Sequence, residues 1–340
     1  MTFPLIAALR GEPHDRVPCW FMRQAGRYLP GYQKIRKQVE FLDLCKDPQL
    51  AAEVTVEPLE TFGMDAVIIF SDILVPLEAM GLEVEFGDRG PCMTNPIDSR
   101  ADIDKLRIPD PANDVGYVLD VIREVKKAVG GRVPVLGFAG APWTLACYAL
   151  EGSPSRTFSR AFRMLYEDRA AFDALQDKLV QTISVYLQAQ IDAGADAVQL
   201  FDTWGGMVAS DEFPRVSVDP CRRILSEVSG APRILFIKGA GAHMEQVITA
   251  GAEAIGVDPM QNLADVRDLA AGRVALQGNL APESLFGPVD EVLARAEGLL
   301  TTMKDTPGYV FNLGHGILPP TPIPTVKALV DYVHSFPGPK

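Results

Sequence analysis

Eight short apolar runs, separated by helical stretches, constrain this chain more than any other feature of its sequence. They are VPCWFM (17–22), DAVIIF (65–70), VPVLGF (133–138), DAVQLF (196–201), RILFI (233–237), AIGVD (254–258), VALQG (274–278) and YVFNLG (309–314). Each is apolar on consecutive rather than alternate positions, as strands buried on both faces are. Between them, LAAEVTVEPLETFG (50–63), DVGYVLDVIREVKKAVGG (114–131) and DKLVQTISVYLQAQIDAG (177–194) carry apolar residues at helical steps and end on glycine. TVKALVDYVHSF (325–336), after the stiff LPPTPIP, predicts the last helix. Strand then helix, eight times, predicts an α/β chain folded as a single (β/α)8 TIM barrel. No linker, repeat or low-complexity tract divides residues 1–340, so one domain is expected. The competing open, doubly wound sheet usually carries a GxGxxG turn after an early strand, and FMRQAGRY has none. LEVEFGDRGPCMTNPI (82–97) alternates around GDRG and predicts a hairpin inserted after the second strand.

A formal net charge of −12 argues against nucleic acid as a partner, because a phosphate backbone demands a basic stripe. An anionic ligand would also be repelled at long range, so local cations must capture it. No apolar run reaches the roughly 18 residues that span a bilayer, and the first twenty residues lack a basic segment before an apolar one. Neither membrane nor secretion is expected. The five cysteines (19, 45, 92, 147 and 221) are scattered, with no CxxC or HxxxH spacing. They predict no disulfide framework and no metal site, but small buried side chains in a reducing cytoplasm.

A barrel of this kind gathers chemistry just beyond the C-terminal ends of its strands. Arg23 and Arg27 follow the first run, Asp72 the second, Trp143 and Tyr148 the third, and Asp202, Thr203 and Trp204 the fourth. Lys238, Asp258, Asn279 and His315 follow the remaining four. Each also has a plain structural use: Asp72 and Thr203 suit helix caps, Tyr148 suits the core, and His315 suits a structural hydrogen bond. The arginine pair is sharper. If MRQAGRY is helical, residues four apart point two guanidiniums the same way, and forks of that kind match carboxylates bidentately. Gly26 between them permits close backbone approach and frees amide donors. The pattern points to a small polyanion.

MRQAGRYLP, IIFSDIL, APWTLACY, QLFDTWGG and FNLGHGILP together closely resemble the uroporphyrinogen decarboxylase family, in family order and from about Pro18 to the final helix. The resemblance implies a (β/α)8 barrel, a cytoplasmic homodimer with facing clefts, and an enzyme of haem biosynthesis that needs no cofactor. Such an enzyme converts the four acetates of uroporphyrinogen to methyls, giving coproporphyrinogen. Carried over position by position, it implies substrate contacts at Arg23, Gln24, Ala25, Gly26, Arg27, Phe41, Asp72, Tyr148, Thr203 and His315. Of these, Arg23, Arg27, Asp72, Tyr148 and His315 are the catalytic candidates.

The chemistry fits those residue types. Losing CO2 from a pyrrole acetate leaves a carbanion with no carbonyl to receive its electrons. Protonating the pyrrole carbon first makes the ring its own electron sink. A carboxylate facing the pyrrole N–H groups would then stabilise the developing cation, and Asp72 is the expected one. Four proton sources stand open: Arg23, a water relayed by Asp72, His315 and Tyr148. Two other functions compete. A cobalamin- or coenzyme M-linked methyltransferase of the same fold family would hold zinc through an HxC element, which this sequence lacks. A tetrapyrrole carrier would keep the arginines and need no Asp72.

Overall fold

Seven of the eight apolar runs form the parallel strands of one curled sheet in the computed structural model, which describes residues 2–87 and 90–338. In chain order these strands are β1 (Val67–Ile68), β4 (Val135–Gly140), β5 (Ala197–Asp202), β6 (Arg233–Ile237), β7 (Ala254–Gly256), β8 (Ala275–Leu280) and β9 (Tyr309–Leu313). They pair in that order, every neighbour parallel. Between β1 and β4 lies the predicted insertion, an antiparallel hairpin of β2 (Val84–Gly87) and β3 (Gly90–Met93). Residues 88–89 of its GDRG tip lie outside the described residues.

The first run, 17–22, departs from expectation: it joins the sheet by one parallel bridge, Cys19 to Phe311, and not by a ladder. Pro18 explains the loss, since proline has no N–H to give. The segment still fills the eighth position. On one side Phe311 N–H donates to Pro18 O (2.9 Å) and Trp20 N–H to Phe311 O (3.4 Å). On the other, Asp65 N–H donates to Cys19 O (2.8 Å). The ring of strands is thus closed by a segment that contributes few backbone bonds of its own.

The helices begin and end where local chemistry allows. Asp47 caps Pro48–Phe62 by accepting from the N–H groups of Gln49 and Leu50, and Gly63 closes it at φ 77°. Gly116–Val129 ends on Gly130 at φ 56°, where any side chain would be strained. The helix expected from 177 starts at Arg169, because Asp168 accepts from Ala171 N–H and nothing breaks the chain before Asp177. Ile323–His334 forms the last helix.

Its end ties into the barrel. Asp65, buried just before β1, accepts from Cys19 N–H (2.8 Å), pairs with Arg16 and bonds His334 Nε2 (2.8 Å). One carboxylate therefore joins the closing segment, the first ladder strand and the C-terminal helix. Four cysteines are buried as expected; Cys92, on β3, is exposed.

Candidate active site

A cleft of about 880 Å³ opens at the C-terminal ends of the strands. Its floor is apolar: Met22, Ile68, Phe70, Phe138, Phe201 and Phe236. Its walls carry Arg23, Arg27, Arg36 and Lys37, against Asp72 as the single carboxylate among the described residues of its lining. In an acidic protein this is a local reversal of sign, with an aromatic surface beneath it.

The arginine loop is not helical. Residues 21–29 run through turns, and Arg23 sits at φ 61°, a left-handed conformation that a side chain with a Cβ adopts only at a cost of roughly 1–3 kcal/mol. Bonds on both sides hold it there: Met22 O accepts from Ile317 N–H (2.8 Å) and Phe21 O from Gln24 N–H (3.0 Å). The stem of Arg23 lies across Gly316, where a Cβ would stand 2.8 Å from Arg23 Cγ. That explains why GHG ends in glycine. Both guanidiniums line the cleft and neither bonds a protein group among the described residues. Ala25 and Gly26 line it beside them.

Gln24, expected at the ligand, turns its side chain away from the cleft: it is wholly buried and does not line it. Its Oε1 accepts from Phe21 N–H (3.0 Å), its Nε2 donates to Ala66 O (2.9 Å), and its carbonyl accepts from the Tyr28 hydroxyl (2.8 Å). It braces the loop from inside.

Asp72 is half-buried beyond β1. Its Oδ1 accepts from Leu74 N–H (2.9 Å), the helix-cap use that sequence alone suggested. The second oxygen has no donor among the described residues, so capping and a place in the cleft coexist. Burial raises its pKa from 3.8 to about 6, with the Leu74 N–H and the nearby Arg23 charge opposing.

Tyr148 projects from the helix Pro142–Glu151 into the cleft, packed beside Phe158 and Trp204. Burial lifts its pKa above the ordinary phenol value, and the Asp72 charge adds to this, so it keeps its proton. Thr203 lines the cleft and caps nothing; the turn after it begins at Gly205 without a side-chain cap. His315 also lines it. Its Nδ1 accepts from Gly316 N–H (2.6 Å), which leaves Nε2 as the donor. Burial, then the charges of Arg23 and Lys238, lower its pKa to about 4.

The other strand-end residues are spent on architecture. Asp258 accepts from Gly239 and Met260 N–H (2.6 and 2.8 Å), Asn279 donates to Asp258 O and Gln261 O (2.9 Å each), and Trp143 donates to Trp204 O (3.0 Å). Buried Asp202 accepts from the Thr144 and Ser217 hydroxyls. Lys238 does not line the cleft.

Sequence reasoning missed Arg36, Lys37, Tyr32 and Phe86. The first three belong to the helix Pro30–Arg36 and its C-cap, whose first N–H groups Glu57 accepts (Gly31 2.7 Å, Tyr32 2.9 Å). The signal was the basic run KIRK, two turns after Arg27 and not at a strand end. Phe86 comes from the hairpin and meets Phe41, whose ring lies 4.6 Å away with Arg36 above it. Both rings line the cleft. Among the described residues, no three His, Cys, Asp or Glu side chains converge as a metal ion requires, and no helix is long and apolar enough to cross a membrane.

Fold and cleft together define a parallel α/β-barrel enzyme with its candidate site at the strand ends. Comparison with known proteins gives the particular kind. The family model for uroporphyrinogen decarboxylase matches residues 3–336, and the chain belongs to that family. It is 45% identical over 334 residues to the uroporphyrinogen decarboxylase of Syntrophotalea carbinolica, covering 98% of this chain and 97% of that one. It is 46% identical over 345 residues to that of Anaeromyxobacter dehalogenans, covering 99% of each. Among solved structures, a methyltransferase from Methanosarcina mazei aligns with a TM-score of 0.81 at 25% identity over 98% of both chains. A B12-independent methionine synthase from Shewanella shares the fold alone, with a TM-score of 0.58 at 12% identity over 87% of this chain and 88% of that one.

Proposed function

We propose that this chain decarboxylates uroporphyrinogen, removing the four acetate carboxyls as CO2 to leave the methyls of coproporphyrinogen. One observation carries the reading: among the described residues a single carboxylate, Asp72, stands in an aromatic-floored cleft lined by four cationic side chains. A macrocycle with many carboxylates at its edge and N–H donors at its centre matches that layout, anions outward and donors inward. Family membership and identities of 44–46% to relatives of that name support the same substrate.

In this reading the guanidiniums of Arg23 and Arg27 hold carboxylates, with the N–H groups of Ala25 and Gly26, unbonded among the described residues, beside them. Arg36 and Lys37 add charge at the outer wall. The free oxygen of Asp72 accepts from the pyrrole N–H groups and stabilises the cation formed when a pyrrole carbon is protonated. The C–C bond to the departing carboxyl then breaks, and its electrons form an exocyclic double bond that neutralises the ring. A second proton converts the exocyclic carbon to a methyl group, and loss of the first proton from the ring carbon restores the pyrrole. Phe41 and the aromatic floor cover the macrocycle and exclude water. Thr203, Tyr148 and the neutral His315 donate hydrogen bonds to side-chain carboxylates. Of the four candidate proton sources, Asp72 alone titrates near neutrality, which favours a water relayed through it. A guanidinium or a buried phenol is too weak an acid, and His315 is neutral at neutral pH.

Anaerobic incubation with uroporphyrinogen and no added cofactor tests the reading: hepta-, hexa-, penta- and then tetracarboxylate products are expected. Binding without CO2 release would indicate a carrier. The Methanosarcina likeness is the ground for a second reading, a methyltransferase. The missing HxC element counts against a zinc-dependent one, and stoichiometric zinc in the purified protein with no decarboxylation would be needed to support it. We also read the protein as one unit across residues 1–340, cytoplasmic and paired as a homodimer. The pairing rests on the family resemblance. Light scattering on the purified protein checks it.

A further inference from the structure

The segment that carries the arginine loop has one bridge where its neighbours have ladders, yet the loop must hold Arg23 in a left-handed conformation. We infer that a chain of buried side-chain hydrogen bonds through the barrel interior sets this register, and that Gln277 and Gln199 are positioning residues for the arginines. The inference rests on the decarboxylase reading of the cleft.

The chain is continuous. Trp20 Nε1–H donates to Gln277 Oε1 (2.9 Å), Gln277 Nε2–H to Gln199 Oε1 (3.1 Å), and Gln199 Nε2–H meets Met22 Sδ (3.8 Å). Trp20 and Met22 are two residues apart, so both face the barrel interior from the closing segment. Gln277 stands on β8 and Gln199 on β5, so the chain crosses the barrel and returns to the segment it left. Met22 N–H also donates to Asn312 Oδ1 on β9 (3.2 Å), and Gln24 ties the far side of the loop to Ala66 O.

All four members of the chain are at most 3% exposed. A polar chain in that setting is costly unless complete, and every amide atom of both glutamines is used. Slippage of the closing segment by one residue would turn Trp20 and Met22 outward and leave Gln277 Oε1 and Gln199 Nε2 without their partners. A register error is therefore penalised by the interior, where the missing ladder cannot penalise it. Arg23 follows Met22 directly, so this register fixes where the guanidiniums stand.

The test is a double-mutant cycle on the full-length protein, read by KM for uroporphyrinogen, by kcat and by thermal midpoint. Gln277→Met keeps length and volume while removing both hydrogen-bonding atoms. In the otherwise wild-type protein it is expected to raise KM about tenfold, with kcat changed less. In the Arg23→Ala/Arg27→Ala background, the same change should move KM less than about twofold, because the groups it positions are gone. An equal rise in both backgrounds would reduce Gln277 to a structural residue and overturn the inference. So would an unchanged KM in the single variant. If Gln277→Met does not fold, Trp20→Phe, which removes the first donor of the chain, is read by the same cycle with the same outcomes. Failure of the wild-type protein to turn over uroporphyrinogen would instead overturn the decarboxylase reading.

Discussion

Replacing Asp72 by asparagine should make the protein more stable and nearly inactive, and both magnitudes follow from the environment of that carboxylate. Burial moves its pKa from 3.8 to about 6. At about 1.4 kcal/mol per pH unit, holding it ionised at neutral pH costs about 3 kcal/mol of folding stability. The sign is the reverse of the usual carboxylate. The folded protein binds this proton more tightly than the unfolded chain, so stability falls as pH rises from about 4 to about 6 and is flat above. Asparagine removes the charge, and its Oδ1 can still accept from Leu74 N–H. With about 2.1 cal/mol/K of unfolding entropy per residue over 340 residues, the gain is a rise in Tm of about 4 °C at pH 7.5. It should shrink toward about 1 kcal/mol by pH 4.5, where the wild-type carboxylate is itself protonated. Activity moves the other way. A carboxylate about 4 Å from a cationic pyrrole, at an effective dielectric of about 20, contributes about 4 kcal/mol, so kcat should fall about a thousandfold with little change in KM. Scanning fluorimetry at the two pH values and anaerobic product analysis measure both. A less stable variant, or one within about tenfold of wild-type kcat, would refute the reasoning.

Further predictions concern charge and closure. Arg27→Ala should raise KM about 10- to 100-fold, the loss of one charge-assisted contact of about 1.5–3 kcal/mol, and blunt the salt dependence of KM; an unchanged KM would contradict the assigned grip. In the wild-type protein kcat/KM should fall as pH drops through about 6, where Asp72 becomes neutral. His315→Gln should leave that limb in place, because His315 stays neutral down to about pH 4. Asp65→Asn, which leaves a half-exposed Arg16 facing a neutral amide, should destabilise by about 1.5–3 kcal/mol in urea titrations, the loss of charge-assisted bonds, while sparing kcat well below the melting temperature.

Seven strands were legible because burial on both faces writes itself as an unbroken apolar run. The first run has the same signature and misled, because its proline removes ladder donors without altering its hydrophobicity. The arginine pair was visible as chemistry and not as geometry: the four-residue spacing suggested a shared helix face, whereas a turn and a left-handed Arg23 point both side chains into the cleft. Gln24 could not be told from its neighbours, since its partners, Phe21 N–H and Ala66 O, are backbone groups that no side-chain pattern advertises. Arg36 and Lys37 lie a helix away from the strand ends where a barrel gathers its chemistry. The bond from Asp65 to His334 spans 269 residues, and a solitary histidine near the C-terminus offers no local sign of it.

A structure with coproporphyrinogen bound tests the central claim most directly. The account predicts the macrocycle over Phe138, Phe201 and Phe236, carboxylates on Arg23 and Arg27, and the free oxygen of Asp72 about 2.7–3.2 Å from the pyrrole nitrogens. A macrocycle seated elsewhere, or an Asp72 turned away from its nitrogens, would contradict it.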